Sequence, residues 1–156
     1  MPETVTTMLG DVAPGLELPP LQRQPGFHHW NRYAAVNDEF VDIHMDDGAG
    51  QAAGYRSAFG MGNLQWAYLH NLLESWLGGR GRVVALSCQF RAPNVRGQTV
   101  TAHGRVTAVQ PQPGGEIRAD LAVWTEDQDG NRLAPGEATV IIGSPAGQEQ
   151  DAGTAP

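Results

Sequence analysis

The second half of the chain alternates where the first half does not. Val84, Leu86, Cys88 and Phe90 alternate with Ala85, Ser87, Gln89 and Arg91. A period of two puts successive side chains on opposite faces of a strand. The rhythm returns in Val100, Ala102, Gly104, Val106 and Ala108, and again in Ile117, Ala119, Leu121 and Val123, and a last run covers Ala138 to Ile142. Between the runs stand Pro93-Asn94, Pro113-Gly114-Gly115 and the stretch from Asp127 to Asn131 with its internal Asp-Gly. These are turn residues, and strands joined by short turns pair antiparallel.

Ahead of the strands the period is helical. From about Gly60 to Leu77, the residues Leu64, Tyr68, Leu69, Leu72, Leu73, Trp76 and Leu77 recur at helical spacing until Gly78-Gly79 stops the run. So much of the circumference is apolar that this helix should be buried, with another layer wrapped around it. Phe27 to Asn37 predicts a second, shorter helix. One long buried helix followed by four antiparallel strands is an α+β plan in which the sheet curls around the helix. Residues 1–25 read as a Pro-rich arm lying on the body, 26–142 as one domain, and 143–156 as a flexible tail without a hydrophobic anchor.

Composition narrows the chemistry. The 156 residues include ten Arg and no Lys, which excludes a Schiff-base lysine and a phosphate loop ending in G-K-[ST]. The single Cys88 excludes an intrachain disulfide and a cysteine-rich zinc site, and no metal or cofactor is implied. On the apolar side of its strand, Cys88 should be a buried, inert thiol. The net charge of −7 argues against nucleic acid or an anionic membrane as partner. Residues 1–24 lack the basic and apolar regions of a secretory signal, and no apolar run reaches the roughly 20 residues of a membrane helix, so a cytoplasmic location is expected.

The densest ionisable cluster runs from Asn37 to Asp47 and holds Asp38, Glu39, Asp42, His44, Asp46 and Asp47. A His among carboxylates suits general acid–base work, because a carboxylate can fix its tautomer. The same composition also describes a solvated acidic loop whose His is incidental, which is the commoner case.

Tyr33-Ala34-Ala35-Val36-Asn37-Asp38-Glu39-Phe40-Val41-Asp42-Ile43-His44 resembles the Y-A-x-x-S-G-D-x-N-P-I-H motif of the MaoC-like dehydratases, the (R)-specific enoyl-CoA hydratases. Tyr33, Ala34, Ala35, Ile43 and His44 match, and Glu39 stands at the catalytic Asp. Ala58-Phe59-Gly60-Met61 is similar to the family's A-H-G-M at the start of the central helix. Phe90 to Val100 is similar to its F-x-x-P-V-x-x-G-D-T-V stretch. The resemblance spans Phe27 to Val109 in the family's order. It implies a hotdog fold, a dimer with itself or a related hotdog subunit, and an acyl-CoA or acyl-carrier-protein thioester as substrate. It also implies that Glu39 and His44 share one water that adds to C3 of a trans-2-enoyl thioester. The Gly60 N–H at the helix start would hold the developing enolate oxygen.

Three departures bear on that site. Glu39 adds a methylene to the family's Asp, Val41-Asp42 replaces Asn-Pro, and Phe59 replaces a His. Asp38 is the reserve carboxylate and Asp42 a weaker one. Asn63 could hydrogen-bond Glu39 or the water, or merely cap the helix; Trp66 could line an acyl tunnel, or belong to the core. His28 and His29 read as cap or packing residues, His70 as a core or interface residue, and His103 as an outer-face residue. Arg56, Arg91 and Arg96 could meet a polyanionic carrier, and surface solubility explains them equally. Two other functions stay open: a partner-dependent or non-catalytic hotdog subunit, and a hotdog thioesterase. The latter usually carries a carboxylate on the central helix, where this chain has none before Glu74.

Overall fold

The computed structural model describes residues 11–143. In chain order the elements are β1 (Leu21–Arg23), α1 (Phe27–Asn37), α2 (Asp47–Ala52), α3 (Gly62–Leu77), β2 (Gly81–Cys88), β3 (Val100–Pro111), β4 (Ile117–Asp127) and β5 (Arg132–Ile142). Single 3-10 turns occupy Asp42–His44 and Pro113–Gly115. The strands form one antiparallel sheet in the order β1-β3-β4-β5-β2, curled around α3.

The long helix begins two residues later than its hydrophobic period, because Met61 is still extended (φ −64°, ψ 141°) and acts as N-cap. Gly78 ends the helix in the left-handed region (φ 54°), its N–H donating to the Glu74 carbonyl. Leu69, Leu72, Leu73 and Leu77 are buried against the inner-facing Ala102, Val106, Leu121, Val123, Ala138 and Val140 of the sheet. Removing this apolar surface from water supplies the main drive for wrapping the sheet around the helix.

The alternation misplaces one residue of β2. Val84 reads as inward-facing, yet it is 57% exposed. The register of β2 on β5 slips between Val83 and Ala85, so Val84 is the extra residue of a bulge, and Val83, Leu86 and Cys88 are its inward neighbours. Burial pushes the Cys88 thiol pKa up, as an inert thiol requires.

The fifth strand, β1, has no alternation to announce it, since its three residues are placed by pairing Leu21 with Ala102. Val12 and Leu18 join the core, and the Leu18 N–H donates to the Gly104 carbonyl at 2.9 Å. Residues 1–10 of the expected arm, and all but Gly143 of the expected flexible tail, lie outside the described residues. No helix among the described residues is long and apolar enough to cross a membrane.

The free edge of β2 carries exposed apolar side chains at Val84 and nearby at Phe90 and Trp66. The Gln89 N–H bonds the Pro135 carbonyl, so Leu86, three positions back, directs its backbone groups away from β5. The Trp66 indole N–H reaches the Leu86 carbonyl at 3.3 Å. An edge of this kind is an association hazard unless something covers it.

Candidate active site

The segment between α1 and α2 is bent so that one carboxylate faces one imidazole. Asp38 takes the left-handed conformation (φ 52°), and the Glu39 N–H returns to the Ala34 carbonyl at 3.1 Å, closing α1. The 3-10 turn then carries His44 inward until it is 7% exposed. Glu39 Oε1 lies 4.0 Å from His44 Nε2. Asp38 and Asp42, the reserve carboxylates, are both exposed.

The other imidazole nitrogen settles the tautomer. His44 Nδ1 lies 2.7 Å from the Phe59 carbonyl oxygen. A carbonyl only accepts, so Nδ1 carries the hydrogen, and in the neutral imidazole the lone pair is on Nε2, on the side of Glu39. The Phe59 N–H donates to the Ile43 carbonyl at 3.2 Å, so the backbone of Phe59 clamps the His44 turn at two points. The Phe59 ring meets the imidazole edge to face at 5.4 Å, and Tyr55 packs on Phe59 at 4.6 Å. The departure from His to Phe thus puts an aromatic wall where a polar side chain was expected, and the backbone carbonyl provides the orienting contact.

A separation of 4.0 Å is too long for a hydrogen bond. It is short enough for both groups to contact one water at about 2.8 Å each, with an angle near 90° at the water oxygen.

His44 faces a cleft of about 240 Å³, lined also by Tyr55, Phe59, Gly60, Gly62 and Gln65, and Glu39 stands beside His44 without itself lining it. Gly60, expected at the helix start, lies two residues ahead of Gly62, and its N–H donates to the Asn94 carbonyl at 2.8 Å. An enolate oxygen would have to share or displace that bond. Gly62, the first residue of α3, also lines the cleft, and its N–H belongs to the turn that no helical carbonyl serves. Space favours glycine at both positions, more strictly at Gly60, whose neighbours are buried, than at Gly62, where the neighbour is the exposed Phe90 ring. A Cβ at Gly60 would fall 2.4 Å from Asn94 Oδ1, and one at Gly62 would fall 2.6 Å from the Phe90 ring.

Asn63 and Trp66 are not among the cleft-lining residues. Asn63 is exposed, and Trp66 sits on the surface, stacked on His70 at 5.7 Å and bonded to Leu86. His70 is itself half-exposed and 3.8 Å from Glu74 rather than in the core. Arg91 lines the cleft and pairs with Gln89. Arg96 is held by Asp47, and that guanidinium together with the Ala58 N–H holds the Asp47 carboxyl below the usual carboxylate range. His29 Nδ1 accepts the Gly26 N–H at 3.3 Å, the capping role expected of it. His103 stacks on Trp124 on the outer face.

Gln65 is the lining residue that sequence reasoning passed over. It is 1% exposed, and its amide bonds Thr125 Oγ1 at 2.6 Å and the Ala92 carbonyl at 3.1 Å. An amide between Met61 and Leu69 on the buried stripe was the available signal. Among the described residues no group of three or more His, Cys, Asp or Glu side chains is placed to hold a metal ion.

A long helix wrapped by a curled antiparallel sheet in this strand order is the hotdog fold, and the structural likeness is to MaoC-like dehydratases and (R)-hydratases. No protein-family model matches the sequence, and no curated protein matches it. Among solved structures, the (R)-hydratase from A. caviae involved in PHA biosynthesis is 25% identical, with a TM-score of 0.74 over 83% of this chain and 96% of that one. The MaoC-like dehydratase from Rhodospirillum rubrum is 17% identical, with a TM-score of 0.75 over 88% of this chain and 97% of that one. The ChsH1-ChsH2 complex from Mycobacterium tuberculosis contains a chain that is 19% identical, with a TM-score of 0.73 over 83% of this chain and 98% of that one.

Proposed function

We propose that this protein is a hydro-lyase that adds water to a trans-2-enoyl thioester, or removes it from the 3-hydroxyacyl product. The observation that carries the reading is the Glu39–His44 pair, 4.0 Å apart, with the imidazole tied through Nδ1 to the Phe59 carbonyl. Glu39 accepts one hydrogen of the water and the His44 Nε2 lone pair accepts the other. As the water oxygen bonds to C3, Nε2 takes its proton and the thioester oxygen becomes an enolate. The N–H of Gly62 at the start of α3, or that of Gly60 once it leaves the Asn94 carbonyl, stabilises that charge, with the helix dipole adding to it. Nε2–H then returns the proton to C2, and His44 is neutral again. The sum is the addition of one water, with no cofactor in the balance.

The acyl group is carried on coenzyme A or acyl carrier protein, with exposed Arg56 and cleft-lining Arg91 as candidates for its phosphates. A thioesterase reading is weaker, because Glu74 of α3 lies at the far end of the helix and faces His70.

The test is to incubate the purified chain with crotonyl-CoA. Enoyl absorbance should fall without release of free thiol. Thiol release would instead make it a thioesterase, and no change at all would favour a subunit that needs a partner.

Assembly follows from the β2 edge. Val84 and Phe90, exposed beside the outer edge of β2, give a second hotdog subunit, identical or related, a surface to cover. Light scattering at micromolar concentration should report a dimer, alone or after co-expression with a partner hotdog chain. A monodisperse monomer under both conditions would refute the assembly.

A further inference from the structure

We propose that Gln65 closes the back of the cleft with a fixed polar floor, so that the site accepts short 2-enoyl groups and rejects longer acyl tails. This rests on the hydratase reading and names the substrate class within it.

Gln65 lies on the buried face of α3. The other buried positions of that helix are Leu64, Tyr68, Leu69, Leu72, Leu73, Trp76 and Leu77. An amide here breaks an otherwise hydrophobic surface, at the position that lines the cleft beside His44 and Gly62. Both ends of the amide are held. Oε1 accepts the hydroxyl of Thr125, which is fully buried on the inner face of β4, at 2.6 Å. Nε2 donates to the Ala92 carbonyl at 3.1 Å, in the loop after β2. The side chain therefore ties the helix, a central strand and the cleft wall together.

Because Gln65 lines the same cleft as His44, an acyl tail that ran from C3 toward the space between α3 and the sheet would meet this amide. To pass, it must part Gln65 from Thr125 and from the Ala92 carbonyl. Parting both bonds leaves four buried polar groups unpaired, a cost that the four methylenes octenoyl adds to crotonyl do not return.

The experiment measures kcat/KM of the full chain for crotonyl-, trans-2-hexenoyl- and trans-2-octenoyl-CoA. The value should fall by at least about tenfold from crotonyl to octenoyl. The double variant Gln65→Ala/Thr125→Val removes the floor without orphaning the threonine hydroxyl, and should raise the octenoyl-to-crotonyl ratio about tenfold. Should that variant fail to unfold cooperatively, Gln65→Met replaces it, keeping side-chain length while losing both hydrogen bonds, and the ratio should again rise. Octenoyl turnover equal to crotonyl in the native chain, or an unchanged ratio in a folded variant, overturns the inference and leaves the hydratase reading standing. If no enoyl-CoA is turned over, the hydratase reading fails, and calorimetric binding decides the floor separately. Butyryl-CoA binding at least about tenfold tighter than octanoyl-CoA supports it; equal affinity, or no binding of either, overturns it.

Discussion

Replacing His44 by Ala should lower kcat for crotonyl-CoA hydration by at least about a hundredfold, since the proposed mechanism has His44 take and return the proton. Among the described residues the imidazole's hydrogen bond is the one to the Phe59 carbonyl, so the variant should still fold. Circular dichroism and a cooperative thermal transition check this. Glu39→Gln keeps the shape of the side chain but puts an amide against the water, and should cost about as much. Glu39→Asp is the sharper comparison. From the motif alone, Asp restores the family's residue and should retain activity. The geometry reverses that expectation, because the longer side chain already reaches to 4.0 Å from Nε2. Shortening it withdraws the carboxylate by about an ångström, and activity should fall by up to a hundredfold. If the Ala and Gln variants turn over at the native rate, the catalytic assignment is wrong even though the fold stands.

Gly60→Ala should damage both stability and turnover. The new methyl would lie 2.4 Å from Asn94 Oδ1 and 2.8 Å from Trp30 Nε1. Both side chains are buried, at 1% and 0% exposure, so neither can swing into solvent. Overpacking of this kind costs about 1–3 kcal/mol, and a urea titration should show the midpoint falling with an unchanged slope. The displaced backbone also moves the start of α3 relative to His44, and a shift of about an ångström there can cost a hundredfold in kcat. A variant as stable and as active as the native chain would mean that the turn accommodates a side chain freely, and would remove Gly60 from the site.

Most of the scaffold was legible in the chain. The helical period and Gly78 placed the C-terminal end of α3, and the alternation placed the bodies of β3 and β4, because both patterns report which side chains one element turns toward the core. The start of β5 was not legible. Pro135 and Gly136 interrupt it, and they are tolerated because β4 already sets the register there, pairing Trp124 with Pro135. The bulge that turns Val84 outward likewise depends on the neighbouring strand.

For the site, local sequence determined the carboxylate–histidine spacing and the glycine ahead of the central helix. Which carboxylate faces His44 was decided by the left-handed turn at Asp38 and the clamp from Phe59, a contact between segments fifteen residues apart. The engagement of the Gly60 N–H by Asn94, the outward placement of Asn63 and Trp66, and the Gln65–Thr125 bond were also tertiary decisions. Periodicity along one element records burial but says nothing of partners on another. A buried amide or N–H must find an acceptor wherever packing leaves one within about 3 Å, and that choice exists only once helix and sheet have met.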